Sequence, residues 1–305
     1  MKLYKNFNIS KNHKKSIILI GNFDGVHVGH QKLFKLANNY KKKFNLNIGV
    51  LTFEPMPKMF FNKNIKNFRI SNINQKNIIL KNLGVNFVIT QKFDKKFSKI
   101  KSDFFIKEIL YKRLKAKYIF VSNNFKFGNK REGDVDQLIK NEKIYGYKIV
   151  KPKPLILSHK VISSTHIRSL LEKGNLKKTN KLLCRNWSIE GIVQKGRQQG
   201  KKIGFPTCNI DINDYVIALP GVYAVKVKRK NSNKSLKAIA NLGYRPTFNQ
   251  KKILLEVHIF NFSGNLYNKY LSVEFIKFIR KEKKFNNVNQ LRRQIQSDLK
   301  IAKKS

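Results

Sequence analysis

Two histidines lie three residues apart in a glycine-rich segment that follows a short apolar run. The segment reads GNFDGVHVGH over residues 21–30, directly after IILI at 17–20. A strand that runs into a glycine-rich bend and then into a helix presents free N–H groups and the helix dipole to an anion. If the helix begins here, His27 and His30 share one of its faces and can donate hydrogen bonds to charge developing on a phosphoryl group. The segment therefore predicts a phosphate site with a catalytic histidine pair.

The glycines of this segment, Gly21, Gly25 and Gly29, would be a weak signal by themselves. They match neither the dinucleotide-binding fingerprint nor the Walker P-loop, because no Gly-Lys-Ser/Thr sequence follows. Either histidine alone could also be a capping or packing residue. The pair within a glycine frame favours phosphate chemistry over that structural interpretation.

A second segment with groups that suit a polyphosphate is ISSTHIR at 162–168. Ser164, Thr165 and Arg168 come at the start of a predicted helix. There they bring together two hydroxyls, a helix N-terminus and a guanidinium, all of which favour phosphate oxygens.

A third segment, GRQQGKKIGFPTCNI at 196–210, combines a constrained turn with neutral oxygen ligands. Pro206 fixes its own φ, and the Thr207 hydroxyl and the Asn209 amide follow two residues apart. Such oxygens suit a hard cation such as Mg²⁺, together with phosphate and water. A plain structural turn is the alternative for Pro-Thr by itself.

The sequence LLEVHIF at 254–260 carries a carboxylate among apolar residues. Strand alternation puts Leu255 and Val257 on one face and Glu256 and His258 on the other. Glu256 could act as a base, or it could merely pair with one of the many lysines. For His258 the sequence indicates packing.

In roughly the first 180 residues, short apolar strands alternate with amphipathic helices, the pattern of a parallel sheet. A helix is predicted after His30, where apolar residues recur at helical spacing as far as Phe44. Another is predicted over 102–115, with Ser102 or Asp103 as its cap. The candidate strands are 16–20, 48–53, 86–90, 118–121 and 147–150.

Downstream of LLCRNWSIEGIV at 182–193, alternation with a period of two dominates and predicts an antiparallel sheet or small barrel. The alternating segments are 222–228, 236–242, 253–260 and 271–279. The chain closes with an amphipathic helix over 287–302, capped by Asn287. Its predicted apolar face consists of Val288, Leu291, Ile295 and Leu299. The change of pattern places a domain boundary near residue 184.

The chain of 305 residues has 65 basic and 17 acidic residues and a net charge of +48. The lysines are spread along the whole chain with many Asn and Ile, which share A/T-rich codons. Codon bias therefore explains the charge, and no specific nucleic-acid partner is expected.

No run of about 18 apolar residues predicts a membrane span. Cys184 and Cys208 are the only cysteines and lack metal or disulfide spacing, which favours a reducing, cytoplasmic location.

The segment GNFDGVHVGH resembles the HxGH signature of the nucleotidylyltransferase superfamily, in the form found in bacterial FAD synthetases. TFEPMP at 52–57, NNFKFGNKREGD at 123–134 and ISSTHIR follow in the order of that family. In the second half, GRQQGKKIGFPTCNI, LPGVYAV at 219–225, NLGYRPTF at 241–248 and LLEVHIF resemble riboflavin kinase motifs. The whole chain is similar to the prokaryotic bifunctional riboflavin kinases/FAD synthetases.

This resemblance implies an α/β domain followed by an all-β domain. The first is a Rossmann-like nucleotidylyltransferase domain over 1–183, and the second is a six-stranded antiparallel β-barrel with a terminal helix over 184–305. The first would adenylylate FMN and the second would phosphorylate riboflavin, each with ATP as co-substrate and Mg²⁺ to screen the phosphates. The implied partners are riboflavin, FMN and ATP, with FAD as the final product and no membrane.

The resemblance assigns catalysis to His27 and His30 at the α-phosphate of ATP and to Glu256 as general base for the ribityl 5′-hydroxyl. It assigns Mg²⁺ to Thr207 and Asn209. The implied nucleotide, flavin and phosphate contacts are Gly21, Phe23, Asp24, Gly25, Gly29, Asn124, Ser164, Thr165, Arg168, Gly204, Phe205, Pro206, Thr207, Asn209 and Arg245.

Some positions depart from the family pattern. Ser122 and Asn123 replace a glycine and an acidic residue, and Met56 replaces a polar residue or histidine and receives no role. Lys201 stands where relatives often have Arg, and Cys208 replaces an alanine and is expected to be a buried small residue.

Two other functions fit parts of the sequence. One is nucleotidylyl transfer to another phosphate-bearing substrate, with the barrel as a binding module. A riboflavin kinase assay on residues 184–305 would distinguish it from the bifunctional enzyme, because absence of FMN formation would favour this alternative. The other is a nucleic-acid-binding protein without catalysis, which would bind DNA tightly with a steep dependence on salt.

Overall fold

The computed structural model describes residues 1–157, 160–196, 200, 203–212, 214–229, 232, 234–247 and 250–305, with side chains except those of 245–247 and 250–252. Contacts between residues divide this chain into two units. The first comprises Met1–Lys66 and Ile73–Ser163, and the second comprises Asn67–Asn72 and Ser164–Ser305. The division of activities at 183/184 stays a prediction.

The first unit contains a six-stranded sheet in which all neighbouring strands are parallel. The strands and hairpins of this unit are β1 (Lys2–Tyr4), β2 (Ile17–Ile20), β3 (Ile48–Glu54), β4 (Phe87–Lys92), β5 (Tyr118–Phe120), β6 (Lys126–Phe127), β7 (Gly133–Asp134), β8 (Lys148–Val150), β9 (Ile156–Leu157) and β10 (Lys160–Val161). The sheet order is β1-β4-β3-β2-β5-β8, and β6/β7 and β9/β10 form two small antiparallel hairpins. The five strands predicted from the sequence are confirmed.

Helices cover both faces of this sheet, so its central strands are buried on both sides and read as continuous apolar runs. Ile18 and Ile20 belong to one buried cluster, and Ile17 and Leu19 belong to the other, as strand alternation requires. The helices of the unit are α1 (Val28–Phe44), α2 (Pro57–Phe61), α3 (Ile73–Asn82), α4 (Lys95–Ser98), α5 (Ser102–Phe104), α6 (Val135–Lys140) and α7 (Glu142–Tyr145).

The helix predicted over 102–115 is present, but its cap and its hydrogen-bond pattern differ from expectation. α5 passes directly into a π-helix over Phe105–Arg113, and the N-cap is Lys101, which makes no side-chain cap. The prediction of Ser102 or Asp103 as the cap is therefore wrong. A distant loop satisfies the N-terminus of α5, because the N–H of the buried Ser102 donates to Glu132 Oε1 at 2.7 Å.

The second unit contains a closed antiparallel barrel with the strand order β11-β12-β15-β14-β13-β16. Its elements are α8 (Ser164–Glu172), α9 (Leu176–Leu183), β11 (Ser188–Gln194), β12 (Cys208–Asp211), β13 (Gly221–Arg229), β14 (Ser235–Thr247), β15 (Gln250–Ile259), β16 (Tyr270–Lys281) and α10 (Val288–Lys304). The predicted six-stranded barrel with a terminal helix is confirmed. Closure removes the sheet edges, which would otherwise be open to pairing with another chain.

The segment Asn67–Asn72 packs within the second unit. Arg69 forms a parallel β-bridge with Tyr215, and the carbonyl of Ile70 accepts a hydrogen bond from the indole of Trp187 at 2.9 Å. The Trp187 side chain is almost fully buried. These contacts hold the start of the barrel sequence against a piece of chain that lies more than a hundred residues earlier.

The terminal helix α10 has the predicted cap, and Leu291, Ile295 and Leu299 of its predicted apolar face are half-buried, with Leu299 packed on a buried cluster. The Asn287 side chain accepts from the N–H of Gln290 at 2.9 Å, which confirms the cap. Val288 is 53% exposed, whereas Asp298 and Ala302 are buried. Asp298 is buried because it forms an ion pair with Arg280 of β16 at 2.8 Å. In the described part of the chain, no helix is both long and apolar enough to cross a membrane.

Candidate active sites

The loop after β2 contains three residues with positive φ. Phe23 and Val26 have φ of 48° and 39°, and Gly25 has φ of 74°. The left-handed region costs an ordinary L-residue about 1–2 kcal/mol, and such strain clusters at functional loops. The loop then ends at α1, whose first helical residue is Val28.

The two predicted catalytic histidines are in direct contact at the start of α1. His27 is the N-cap, and its Nδ1 accepts the N–H of His30 at 3.4 Å. The two rings stack with their centroids 3.7 Å apart. Gly29 permits this arrangement, because a Cβ at this position would lie 3.2 Å from the His27 ring. The structure therefore brings both imidazoles together at a helix N-terminus.

The surroundings of His30 keep it neutral. Its ring lies edge-on to Phe23 at 5.1 Å, and its Nδ1 is buried without a hydrogen-bond partner among the described residues. Burial, and then the nearby His27 and Lys76, hold the pKa of His30 well below 6.5. Since the unfolded chain takes up a proton first, this group makes the free energy of unfolding fall as the pH drops through 6.5.

Lys76 of α3 is a site residue that sequence reasoning missed. It is only 5% exposed, and its Nζ donates to the Asn22 carbonyl at 3.2 Å and to Thr52 Oγ1 at 3.1 Å. It ties the histidine loop to the end of β3 and adds a positive charge beside His30. A lysine in an amphipathic helix of a lysine-rich chain gives no sequence signal of this burial.

Replacing Lys76 tests its electrostatic effect on His30. We expect Lys76→Met to raise the pKa of His30 toward 6.5, because one of the charges that lower it is removed. The pKa is read from the pH titration of the His30 ring by NMR. Lys81→Met on the exposed side of the same helix is the matched control and should leave this pKa unchanged. An unchanged or lower pKa in Lys76→Met would contradict the assignment.

The other residues predicted in this loop differ in exposure. Phe23 and Asp24 are buried, and the Phe23 ring packs on Phe34 as well as on His30. Gly21 is partly exposed, and a Cβ there would meet the Phe23 ring at 3.2 Å. These residues build the frame around the histidine pair.

The predicted loop over 123–134 borders a cavity of about 490 Å³. Asn124 is exposed, and its Oδ1 accepts from the Ser122 hydroxyl at 2.9 Å. The cavity has an aromatic wall at Phe125, whose ring stacks on Phe127 at 5.5 Å. Lys126, Lys151 and Lys153 also line it, the first paired with Asp134 and the second with Asp136, and the last two lysines were not predicted from the sequence.

The residues predicted from ISSTHIR lie at the start of α8, which belongs to the second unit. Ser164 is the first residue of this helix and Thr165 is exposed, as an anion-binding helix start requires. Arg168 is buried, its Nε donates to the Phe68 carbonyl at 2.7 Å, and its guanidinium lies 3.6 Å from the Phe68 ring centre. One face of the Arg168 guanidinium and its Nε–H are therefore engaged by Phe68 of the second unit.

In the barrel, strand register brings two of the predicted residues side by side. Asn209 of β12 is the direct partner of Glu256 of β15, and Asn241 of β14 is the partner of Glu256 on its other side. Side chains in directly opposed pairs lie on the same face with Cβ atoms about 4.5–5.5 Å apart. The three polar side chains form a row across adjacent strands.

Asn209 has the features of a ligand to a hard cation. Its side chain is buried, and Oδ1 has no hydrogen-bond partner within the described residues. Thr207, two residues earlier, is exposed just before β12 begins. In the described ranges, no group of three His, Cys, Asp or Glu could hold a metal ion. Neutral side-chain oxygens such as Asn209 Oδ1 are among the ligands that Mg²⁺ accepts.

A cavity of about 400 Å³ opens beside Thr207. Val193, Val257 and Ile259 give it apolar walls, and the loop 262–267 closes one side. That loop was missed, because its residues carry no motif of their own. Cys208 also lines the cavity and is half-buried rather than buried, and desolvation raises the pKa of its thiol to about 11, which favours the protonated form at neutral pH.

The remaining predicted residues are only partly described. Gly204 has φ of 91°, which suits a glycine turn, and Phe205 is half-buried beside the exposed Pro206. Arg245 lies in β14, but its side chain is outside the described residues, and Lys201 lies wholly outside them.

Comparison with known proteins assigns the chain to a family. The FAD synthetase family model matches residues 9–166, and the riboflavin kinase family model matches residues 183–305. A protein of Buchnera aphidicola subsp. Schizaphis graminum, named bifunctional riboflavin kinase/FMN adenylyltransferase, is 38% identical over 310 aligned positions, which cover 100% of this chain and 98% of the relative. The chain belongs to the bifunctional riboflavin kinase/FMN adenylyltransferase family.

Further members of the bifunctional riboflavin kinase/FMN adenylyltransferase family are similar over almost the whole chain. The Haemophilus influenzae protein is 38% identical, with 94% of this chain and 92% of the relative covered. The Escherichia coli K12 protein is 35% identical, with 98% of this chain and 96% of the relative covered. A crystal structure of a macrolide-efflux protein from Streptococcus pneumoniae superimposes with a TM-score of 0.86 at 29% identity, over 99% of this chain and 98% of that one, which confirms the fold class.

Proposed function

We propose that this chain phosphorylates riboflavin to FMN with ATP and then adenylylates FMN with a second ATP to give FAD and pyrophosphate. Adenylyl transfer is assigned to residues 1–183 and phosphorylation to residues 184–305. The observation that carries the proposal is the match of both family models in order, each containing its own cluster of suitable residues. The two clusters are the stacked histidines and the Asn209–Glu256 pair.

In the adenylyl site, the FMN phosphate attacks the α-phosphorus of ATP, and pyrophosphate leaves. His27 and His30 stand at a helix N-terminus, where N–H groups and the dipole stabilise negative charge. Their imidazoles donate hydrogen bonds to the oxygens on which charge grows in the transition state. Lys76 donates a hydrogen bond to the Asn22 carbonyl of the loop that carries them, and it places a positive charge near His30.

In the kinase site, Glu256 accepts the proton of the ribityl 5′-hydroxyl while that oxygen attacks the γ-phosphorus of ATP. Asn209 Oδ1 and the Thr207 hydroxyl would hold Mg²⁺, which screens the phosphate charges when bound. The direct pairing of Asn209 with Glu256 in the strand register supports a base that lies next to a metal ligand. The apolar cavity beside Thr207 has room for part of the nucleotide or the flavin.

Incubation of the full chain with riboflavin, ATP and Mg²⁺ tests this function. We expect FMN to appear first and FAD later, and FMN supplied in place of riboflavin should give FAD directly. Products are separated by chromatography. FAD formation from FMN without any FMN formation from riboflavin would support only the nucleotidylyltransferase half. Formation of neither product by folded protein would overturn the proposal.

A cytoplasmic location stays a prediction from the cysteine pattern, and weak, salt-labile DNA binding stays the expectation for the net charge of +48.

A further inference from the structure

His258 makes a contact that neither the proposed chemistry nor simple packing accounts for. It follows Glu256 by two residues on β15 and so lies on the same face of the strand. Its Nδ1 is 2.8 Å from the carbonyl oxygen of Pro206. Because a carbonyl only accepts, Nδ1 carries the proton and donates it.

The orientation of the His258 ring is fixed by two aromatic neighbours. Phe205 lies edge-on to it at 5.9 Å between ring centroids, and Phe260, the residue just after β15, lies tilted to it at 5.9 Å. Rings held in this way keep Nδ1 directed at one acceptor. The packing therefore supports the hydrogen bond and does not replace it.

The bonded carbonyl belongs to the peptide unit that leads into Thr207. Pro206 has no N–H, so its carbonyl is its only main-chain hydrogen-bonding group. β12 begins one residue after Thr207, so Thr207 itself precedes the strand ladder. A donor that fixes the plane of the 206–207 peptide thus sets the direction in which the Thr207 hydroxyl is presented.

We propose that His258 is a positioning residue of the kinase site: its Nδ1–H holds the Pro206 carbonyl and thereby orients Thr207 toward the metal–nucleotide complex. This role rests on the proposed riboflavin kinase activity. One face of β15 then carries both the base, Glu256, and the group that sets the geometry of the phosphate turn.

Three substitutions at His258 separate positioning from packing. His258→Phe keeps a ring and loses the donor. His258→Asn keeps a nitrogen donor attached to Cγ, as Nδ1 is, whereas His258→Gln places its donor one bond further out. We expect His258→Phe to raise the KM for Mg–ATP about tenfold, because the variant loses one hydrogen bond. The KM for riboflavin should change less than about twofold. His258→Asn should recover most of this loss and His258→Gln should not.

The same preparations supply the controls. FAD formation from added FMN should be equal in all four proteins, and the thermal unfolding midpoint identifies any variant that is merely unstable. Calorimetric binding of Mg–ADP should follow the same order as the KM for Mg–ATP.

A phenylalanine variant with wild-type kinetics, or an asparagine variant as impaired as phenylalanine, would overturn the positioning role alone. A wild-type protein that forms no FMN would overturn the proposed kinase activity, and this role with it.

Discussion

His30→Ala should abolish FAD formation from FMN while FMN formation from riboflavin continues at the wild-type rate. The His30 ring stacks on His27 at the start of α1, and in the proposed mechanism it donates a hydrogen bond to the phosphoryl group as negative charge grows there. Removal of one such donor costs about 10²–10³ in kcat, so the loss should fall on kcat rather than on the KM for ATP. Both reactions are followed by chromatography in separate assays.

Lys32→Ala is the matched control for this variant, because Lys32 is exposed on the same helix two residues later. It should retain both activities. Retention of FAD formation by His30→Ala would remove the histidine pair from the reaction.

Glu256→Ala should have the opposite effect, with FMN formation lost and FAD formation from supplied FMN retained. Removal of a general base costs about 10²–10⁴ in rate. Glu256→Gln keeps the shape of the side chain but removes the base, so it should be similarly inactive. The rates are measured with saturating riboflavin and Mg–ATP.

Glu274→Gln gives the same chemical change elsewhere on the barrel, where Glu274 forms a partly exposed ion pair with Lys228 at 2.7 Å. Such a pair contributes about 0–1 kcal/mol, so this variant should keep its kinase activity. Loss of both activities in either His30→Ala or Glu256→Ala, with the fold intact, would contradict two independent sites.

The sequence was sufficient for the features that depend on local pattern. Short apolar segments that alternate with amphipathic helical patterns identified the parallel strands, alternation identified the barrel, and the spacing of His27 and His30 identified the helix start. In each case the residues that decide the structure are within a few positions of one another.

Features that depend on distant pairing could not be predicted in the same way. The sequence does not reveal that Asn209 faces Glu256, because a register is set by the closure of the whole barrel. It does not reveal that Glu132 satisfies the N–H of Ser102, since a loop residue thirty positions away competes with the local cap. The burial of Lys76 depends in the same way on a distant partner, Thr52 of β3, which accepts a hydrogen bond from its Nζ.

The segment Asn67–Asn72 bears on how the two activities can be dissected. A fragment that begins at residue 184 would lose the Ile70 carbonyl that satisfies the buried indole of Trp187, and also Asn180, whose Oδ1 accepts the Trp187 main-chain N–H at 2.8 Å. Each orphaned polar group costs about 1–3 kcal/mol, a large part of the stability of a small domain. Truncation would therefore confuse a poorly folded barrel with an inactive one, whereas single substitutions in the intact polypeptide keep the two apart.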